Sequence, residues 1–362
     1  MGVLIFPFLG AMFLGQCFDL VDFQFNLVNP YLGIQLKDYT TRTPINTLES
    51  KFRVVSTPAD LATFLGMNII IYLKKEYNLW PYGPSKYFLN TPRRNRFDKV
   101  TIAVRMNLKT DKETIPADTP VNGDWESKQR DFGGTHYLKS FIHGAEVQAI
   151  IEIGSKNRSH FEEIKRRVER EIGSSGNFDE DFKEKLDSVV EEMGTWYGLP
   201  STSAYGMNSD FFLNLPKLLQ LKNNLQGNRS LVVENVRILY EFHSLSKISS
   251  IPPVQTKREF LEQAARLLII REDIVIARDE LNYFFRYEMP DLTEEEEVEF
   301  SELFSEIDSL GKDIAVLATD IDVTTDGDIH QFDNIFLNYG SDGTEKYRKR
   351  VRELISRTTR RE

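Results

Sequence analysis

DFGGTHYLKSFIHGAEVQAIIEI, residues 131–153, is the stretch that decides the fold of this chain. It opens with a polar, glycine-rich turn that contains Gly133 and Gly134, and it continues into an apolar strand that ends at Gly154. Paired glycines mark a backbone that takes a positive φ or approaches another group closely. The apolar run from Ala149 to Ile153 predicts a strand with one fully buried face and one partly covered face.

The same stretch carries a family signature. An aromatic residue, the sequence Gly-Thr-His-Tyr and a glycine seven residues further on resemble the signature of the membrane attack complex/perforin (MACPF) family. The matching residues are Phe132, Gly133, Gly134, Thr135, His136, Tyr137 and Gly144. The family has a Gly-Gly pair at the end of the signature, whereas here Ala145 follows Gly144. The resemblance implies that the motif is a structural hinge, packed where a sheet bends.

The order of the predicted elements agrees with this resemblance. Strict alternation over Val100–Leu108 predicts a half-buried antiparallel strand ahead of the signature. Apolar residues at 3–4 spacing predict helices over His160–Ile172 and Phe178–Met193, and Val232–Phe242 predicts a later strand. The resemblance covers roughly Ser50–Arg271 and implies an α+β fold, in which helical clusters flank a bent, twisted antiparallel sheet. Elsewhere the sequence predicts short strands and turns over 18–56, a buried strand over 68–72, and loops over 78–96 and 194–208.

The N-terminal apolar run predicts a signal peptide. It is too short to span a bilayer but has the length of a signal-peptide core, and small residues at Gly15 and Cys17 suit cleavage after Cys17. The alternative is a buried N-terminal strand. The predicted organisation is a signal peptide over 1–17, a MACPF-like domain over 18–275 and a helical C-terminal extension over 276–362. Two sequons, at Asn157 and Asn228, fit a secreted glycoprotein.

The distribution of charged residues limits the classes of partner that we expect for this chain. The formal net charge of −10 argues against a nucleic-acid partner. The acidic run Glu294–Glu297 follows Thr293 and indicates a solvated helix start. The basic tail Lys346–Arg361 either binds anionic lipid headgroups or folds back on the acidic helices, and the second interpretation is favoured.

The sequence offers no catalytic constellation. His136 would need a nucleophile and an orienting carboxylate to act as a base, and Thr135 is a poor nucleophile, so a structural role is favoured. The other histidines are isolated, without the spacing of a zinc site. No phosphate-binding loop or nucleophile elbow is present, so we expect no enzyme and no organic cofactor.

One aspartate-rich loop resembles a calcium site. Its candidate ligands are Asp322, Thr324, Asp326, Asp328 and Asp333. Threonine at the third position and aspartate at the twelfth weaken calcium binding, and an Asp-Gly turn between two elements is the favoured alternative.

Two functions are open at this point. Pore-forming MACPF proteins convert helical clusters into amphipathic β-hairpins, but neither predicted helix alternates when read as a strand, and a charge facing lipid at mid-bilayer costs ~2–4 kcal/mol. The first hypothesis is therefore a secreted, non-lytic signalling factor, similar to the insect torso-like members, that acts at a membrane or matrix surface. The alternative is a pore-forming immune or toxin effector. The expected partners are membrane lipids or a cell-surface or matrix protein, together with further copies of the chain.

Overall fold

The chain forms two compact units. The computed structural model describes residues 3–7, 12–20, 24–26, 28–55, 58–66, 99–125, 127, 134–208, 214–227, 229–249, 253, 258–288, 292–321, 328–340 and 345–359. The sheet unit comprises 1–56, 60–68 and 81–255, and the helical unit comprises 57–59, 69–80 and 256–362. The division predicted after residue 275 falls inside a helix that is continuous over Arg258–Tyr283, so the structure places the boundary between Gln255 and Thr256 instead.

The described strands of the sheet unit form one antiparallel sheet of nine strands. They are β1 (Val3–Pro7), β2 (Cys17–Asp19), β3 (Gln24–Asn26), β4 (Thr41–Val55), β5 (Lys99–Thr114), β6 (His136–Gly154), β7 (Ser175–Asn177), β8 (Tyr197–Tyr205) and β9 (Arg237–Ser244). The main path runs β1-β9-β6-β5-β4-β7, while β2 and β8 also pair with β6 and β3 pairs with β2. β6, the strand of the signature, is therefore the central strand.

The helices fall into two groups along the chain. They are α1 (Pro58–Phe64), α2 (Arg158–Glu171), α3 (Glu180–Glu192), α4 (Leu215–Gly227), α5 (Arg258–Tyr283), α6 (Glu294–Asp320), α7 (Asp333–Tyr339) and α8 (Lys346–Thr359). The first four precede or interrupt the sheet strands, and the last four belong to the helical unit. This arrangement confirms the predicted α+β class with a curled antiparallel sheet and helical clusters.

The core of the sheet unit is built on the apolar residues that occupy every second position of β5. Val104 and Met106 point to the same face and lie opposite Ala149 and Val147 of β6, so the apolar sets of the two strands coincide. Helices α2, α3 and α4 cover this face, and α4 alone buries five leucines there. Those leucines are Leu215, Leu218, Leu219, Leu221 and Leu225.

Polar caps fix where the two helices after β6 begin. The side chain of Asn157 accepts a hydrogen bond from the backbone N–H of His160 at 2.9 Å, and Asp179 accepts one from Phe182 at 3.1 Å. The helical register then places Ile164 of α2 and Leu186 of α3 in the core, fully buried. Both predicted helices are confirmed, with bounds shifted by one or two residues.

Two strands differ from the sequence-based expectation. β4 is one continuous strand where short strands and turns were expected. Its first ten residues are mostly exposed and include Pro44, so the sequence shows no apolar alternation there. A loop was expected where β8 lies. The residues of β8 are mostly half-buried at the sheet edge, so they do not alternate between buried and exposed positions as a strand with one buried face would. Pro216 is the second residue of α4, where a missing N–H costs no hydrogen bond.

The apolar N-terminal segment is built into the sheet where it is described. β1 pairs with β9, and Phe6 packs its ring 5.4 Å from that of Phe18 and 5.2 Å from that of Phe242. Cys17 is fully buried in β2, and burial raises the pKa of its thiol to about 12. This placement corresponds to the buried strand that was the alternative to a signal peptide, and removal of residues 1–17 stays a prediction.

In the helical unit, the basic tail pairs with acidic helices. Arg350 of α8 forms an ion pair with Glu306 of α6, and Arg352 pairs with Glu280 of α5 at 3.2 Å. The acidic run begins α6 through a capping box in which Thr293 and Glu296 exchange hydrogen bonds. Both favoured interpretations of these charged segments are therefore confirmed. Among the described helices, none combines the length and apolarity needed to cross a bilayer.

Candidate functional site: the bend of the sheet

Backbone irregularities in several strands line up across the sheet. The β4–β5 register shifts between Pro44 and Thr47, and the β5–β6 register shifts between Lys109 and Asp111, opposite Gly144. Residues with positive φ fall at the same level: Asn46, Gly144, Gly206 and Asn235. Because bulges bend a strand and increase its twist, their alignment across neighbouring strands bends the sheet here. We call this row of residues the bend line.

Gly144 is required by close backbone contact. Its φ is +153°, and a Cβ atom built on it would lie 1.8 Å from the carbonyl oxygen of Leu108. A Cβ atom on Gly206, whose φ is +75°, would lie 2.4 Å from the carbonyl oxygen of Gly144. The N–H of Gly144 donates to the carbonyl of Val236 at 2.9 Å. Four chain segments therefore meet at a point where only glycine fits at positions 144 and 206.

Charged side chains join the strands along the bend line. Asp111 of β5 accepts hydrogen bonds from Arg42 of β4 at 2.5 and 2.8 Å and lies 2.9 Å from Nδ1 of His143 on β6. Arg42 also donates to Asn235 at 2.5 Å. Burial acts to raise the pKa of Asp111, but hydrogen bonds from Arg42, Thr110 and His143 outweigh it and lower the pKa below its ordinary value.

The Gly-Thr-His-Tyr half of the signature lies at the start of β6, away from the bend line. Thr135 accepts a hydrogen bond from the N–H of Leu20 at 2.8 Å, and its own N–H donates to the carbonyl of Phe18 at 2.9 Å. Tyr137 is buried beside Tyr31, with ring centroids 6.0 Å apart. This half of the motif anchors β6 to β2, whereas Gly144 alone lies at the bend. Phe132 and Gly133 lie outside the described residues.

His136 is held neutral by burial. It is fully buried, its Nδ1 lies 2.8 Å from the hydroxyl of Thr135, and its Nε2 has no hydrogen-bond partner among the described residues. Burial lowers the pKa of its imidazole to about 4. The described contacts of His136 include no carboxylate, so the arrangement does not resemble a nucleophile–base–carboxylate triad.

Two long connections leave the same end of the sheet. Residues 56–98 join β4 to β5, and residues 155–196 join β6 to β8. The pairs Val55–Thr101, Lys99–Gly154 and Ile153–Tyr197 all lie at this end. Two connections between antiparallel neighbours therefore leave the sheet at one end.

A short strand holds the second connection against the sheet edge. β7 lies between α2 and α3 and pairs with β4 over Lys51–Arg53. Gly176 permits this contact, because a Cβ atom there would lie 2.9 Å from the ring of Phe52. Phe52 in turn packs 4.5 Å from the ring of Phe182. We call β7 with its β4 partners the edge clasp.

The sheet face opposite the apolar core is polar where it is buried. Arg105 of β5 donates to Glu146 of β6 at 2.8 Å and to the carbonyl of Phe64 at 3.3 Å. Gln148, which is 2% exposed, has no hydrogen-bond partner for either side-chain atom among the described residues. The sequence indicated this buried polar face, because the residues of β5 that alternate with its apolar set include Arg105 and Asn107.

The calcium loop is not assembled in the described residues. Asp328 caps a short 3₁₀ helix by accepting from the N–H of His330, and Asp333 lies 2.8 Å from His330 Nδ1. Asp322, Thr324 and Asp326 lie outside the described residues. No group of three metal-ligating side chains occurs in the part of the chain that is described. Calcium binding therefore stays a prediction.

Of the two sequon asparagines, only Asn157 lies within the described residues. Asn157 is exposed and caps α2, and Asn228 lies outside the described residues. Glycosylation at both sites stays a prediction.

The bend line itself was only partly predictable. Gly144 was marked by the signature, but Asn46, Gly206 and Asn235 carry no sequence motif, because their positive φ values follow from bulges that only strand pairing creates.

No protein-family model and no curated protein sequence matches the chain. Among solved structures, stonustoxin aligns over 98% of this chain with a TM-score of 0.54 and 14% sequence identity. The alignment covers 49% of the stonustoxin chain, so this chain spans about half its length.

Two further structures align over a little more than half of the chain. A Bacteroides thetaiotaomicron protein with a MAC/Perforin domain matches at a TM-score of 0.28, with 12% identity, 55% of this chain and 47% of that one. Pneumolysin matches at a TM-score of 0.31, with 15% identity, 58% of this chain and 43% of that one. Together, the curled sheet, the helical clusters and the likeness to stonustoxin show that the chain has a fold of the MACPF/cholesterol-dependent cytolysin type.

Proposed function

We propose that this chain acts on membranes by inserting the connections 56–98 and 155–196 as β-hairpins. The observation that carries the proposal is their common position: both join antiparallel neighbours at one end of the sheet. Hairpins formed there would continue β4, β5, β6 and β8 as one sheet. A membrane-crossing strand needs ~9–11 residues, and each connection is long enough for two.

The sheet edges support assembly into a larger barrel. Among the described residues, β4 pairs only with β5 over Thr41–Glu49, which leaves its other edge unpaired there, and β8 pairs only with β6. Unpaired strand edges accept a strand from another chain, and a sheet exposed to lipid must close on itself. The proposal therefore includes several copies of this chain as partners, together with membrane lipid, and it requires no catalytic step and no cofactor.

A secreted protein would meet a membrane from outside the cell. The predicted signal peptide and the exposed sequon at Asn157 support this setting. The likeness of fold to a toxin, stonustoxin, supports it as well.

The charge of α2 and α3 favours a second candidate, a non-lytic factor that keeps the fold without inserting. This is the role that the resemblance to insect torso-like proteins implies. When α2 is read as a strand, both alternating sets contain charges: Arg158, Glu162, Arg166 and Arg170 in one, and Glu163, Lys165, Arg167, Glu169 and Glu171 in the other. Such charges oppose insertion at ~2–4 kcal/mol each at mid-bilayer.

Release of size-graded dyes from liposomes separates the two candidates. The proposal predicts release of calcein and of small dextrans from anionic or sterol-containing vesicles, together with ring-shaped assemblies in electron micrographs. A chain that binds these vesicles without releasing calcein under any lipid composition or pH tested would support the non-lytic candidate and contradict insertion.

A further inference from the structure

An open apolar groove lies on the surface of the helical unit. It has a volume of about 460 Å³, within the range of ligand-binding clefts. Its described lining residues are Phe285, Leu292, Glu297, Phe300, Ser301, Phe304 and Ser305. All of them belong to α6, to the segment just before α6, or to the end of α5.

The groove has a rigid aromatic floor. Phe284 stacks on Phe300 with ring centroids 5.5 Å apart, and both rings are buried. Phe285 meets Phe300 edge-on at 5.1 Å but remains 40% exposed. A large aromatic side chain that is packed on one side and solvent-exposed on the other is typical of an anchor point for a partner.

A local backbone feature produces this arrangement. α5 ends in a π-helical turn over Phe284–Glu288, and its wider turn presents two consecutive phenylalanines toward α6. Single π-helical turns are frequent at functional sites. On α6, Ser301 and Ser305 are one turn apart and exposed, and their small side chains leave the depression open.

The rim of the groove is acidic. Glu297, which lines the groove, and Glu294, about one helical turn before it on the same side of α6, are exposed, and the helix dipole stabilises carboxylates in this first turn. Further along α6, Glu299 and Glu306 are paired with arginines of α8. Among the described residues, no ion pair joins Glu294 or Glu297 to a cation, so both carboxylates are available to a positively charged partner.

From the apolar floor and the acidic rim, we propose that the groove binds a basic amphipathic helix of a partner protein. The α6 residues that line it run from Glu297 to Ser305, about 12 Å of helix at 1.5 Å per residue. That length matches two turns of a docked helix, with apolar anchors at i, i+4 and i+7 against the phenylalanines and lysines or arginines beside the rim. The proposal does not depend on membrane insertion.

Fluorescence anisotropy of a labelled helical peptide tests the proposal on the full chain. The probe is a designed peptide of about 15 residues, long enough to cover the groove, with leucines at i, i+4 and i+7 and lysines on the flanking positions. Matched peptides replace the lysines with glutamates or the leucines with serines. We expect the lysine peptide to bind with a Kd below about 100 μM and the other two to bind at least about tenfold more weakly.

A groove-filling variant and its control decide whether binding occurs at this site. Ser305→Trp should weaken binding of the lysine peptide at least about tenfold, whereas Val316→Trp, at an exposed position of the same helix outside the groove, should not change it. Both positions are exposed, so the thermal midpoint of each variant should match that of the parent. The double change of Glu294 and Glu297 to Gln should weaken binding of the lysine peptide and reduce its dependence on salt.

Several outcomes would overturn the proposal. They are absence of peptide binding, binding that is unchanged by Ser305→Trp, and equal or tighter binding of the glutamate peptide. Self-association or binding to neutral phosphatidylcholine vesicles that Ser305→Trp removes, without peptide binding, would assign the groove to a second copy or to lipid instead.

Discussion

At the scale of single residues, the bend of the sheet depends on positions where a side chain cannot be accommodated. Gly144 combines a positive φ with a backbone carbonyl that occupies the place of its Cβ atom. Because the opposing atom belongs to the backbone of Leu108, no rotamer change can relieve the clash. The signature predicted a glycine here, and the structure supplies its reason.

We predict that Gly144→Ala destabilises the chain by about 3 kcal/mol or more, or prevents folding, because both the φ angle and the clash oppose an alanine. Urea unfolding followed by circular dichroism measures the change. Gly123→Ala is the matched control, because nothing lies within 4 Å of its added Cβ, and it should stay within ~0.5 kcal/mol of the parent. A Gly144→Ala variant as stable as this control would contradict the described bend.

His136 gives the sheet unit a pH-dependent stability. Its pKa is about 4 in the folded state, against an ordinary value of 6.5. As the pH falls from 6.5 to 4, the unfolded chain binds a proton that the folded chain does not, so the stability contribution is present above 6.5 and is lost below. The contribution is on the order of 3 kcal/mol.

We therefore expect the unfolding free energy to fall as the pH is lowered from 6.5 to 4. In His136→Gln, the slope of unfolding free energy against pH should correspond to about one proton fewer taken up on unfolding in this window. Urea titrations at several pH values measure this slope. His330→Gln, at an exposed histidine, should leave the slope of the sheet unit unchanged. His243 also has its pKa lowered to about 4 by burial, so His136→Gln should leave part of the slope in place. A slope equal to that of the parent would contradict the neutral, buried state of His136.

At the scale of elements, sequence periodicity located what packs on the apolar face and missed what lies at the edges. α2 and α3 were predicted because their buried residues recur every three or four positions. β7 has three exposed residues, and β4 begins with ten residues that are mostly exposed. Edge strands of this kind are stabilised by pairing rather than by a buried face, so no alternation marks them.

The helical unit contains a buried contact that the sequence did not predict. Asp273 of α5 is fully buried and accepts hydrogen bonds from the N–H groups of Tyr347 and Arg348 in the first turn of α8. It also accepts from the hydroxyl of Tyr339 at 2.8 Å and from Nε of Arg348 at 2.9 Å. One carboxylate thus caps a helix that lies more than seventy residues away in sequence.

We predict that Asp273→Ala destabilises the helical unit by about 3–5 kcal/mol, because it removes the buried carboxylate that pairs with the nearly buried guanidinium of Arg348 and accepts from the backbone N–H groups of Tyr347 and Arg348. Thermal unfolding measures the loss, and hydrogen exchange should show faster exchange at the amides of Tyr347 and Arg348. Glu299→Ala removes a half-exposed partner of Arg357 and should cost less than about 1 kcal/mol. Equal effects of the two substitutions would contradict the capping role.

At the scale of the whole molecule, the fold class followed from the signature and the element order, but the boundary between the units did not. The boundary predicted after residue 275 falls within α5, and only the continuity of this helix shows that the helical unit begins before it. The positions of the connections 56–98 and 155–196 at one end of the sheet also required strand pairing. The proposed function depends on that positioning.

Insertion of residues 155–196 requires β7 to leave β4, so the edge clasp is the point at which to test the account. Phe178 donates to the carbonyl of Ser50 and Val54 donates to that of Ser174, so Lys51 and Asn177 form the non-hydrogen-bonded pair between these bonds. Their Cα atoms should lie about 4.5 Å apart, which suits a disulfide. The only native thiol, that of Cys17, is buried and has a raised pKa, so it should not interfere.

The most direct measurement is calcein release by the double variant Lys51→Cys, Asn177→Cys, oxidised and then reduced. We expect the oxidised protein to bind vesicles but to release no calcein, reduction to restore release, and each single variant to behave as the parent in both states. Release by the fully oxidised protein at the rate of the reduced protein would show that the edge clasp need not open, and it would contradict insertion of this segment.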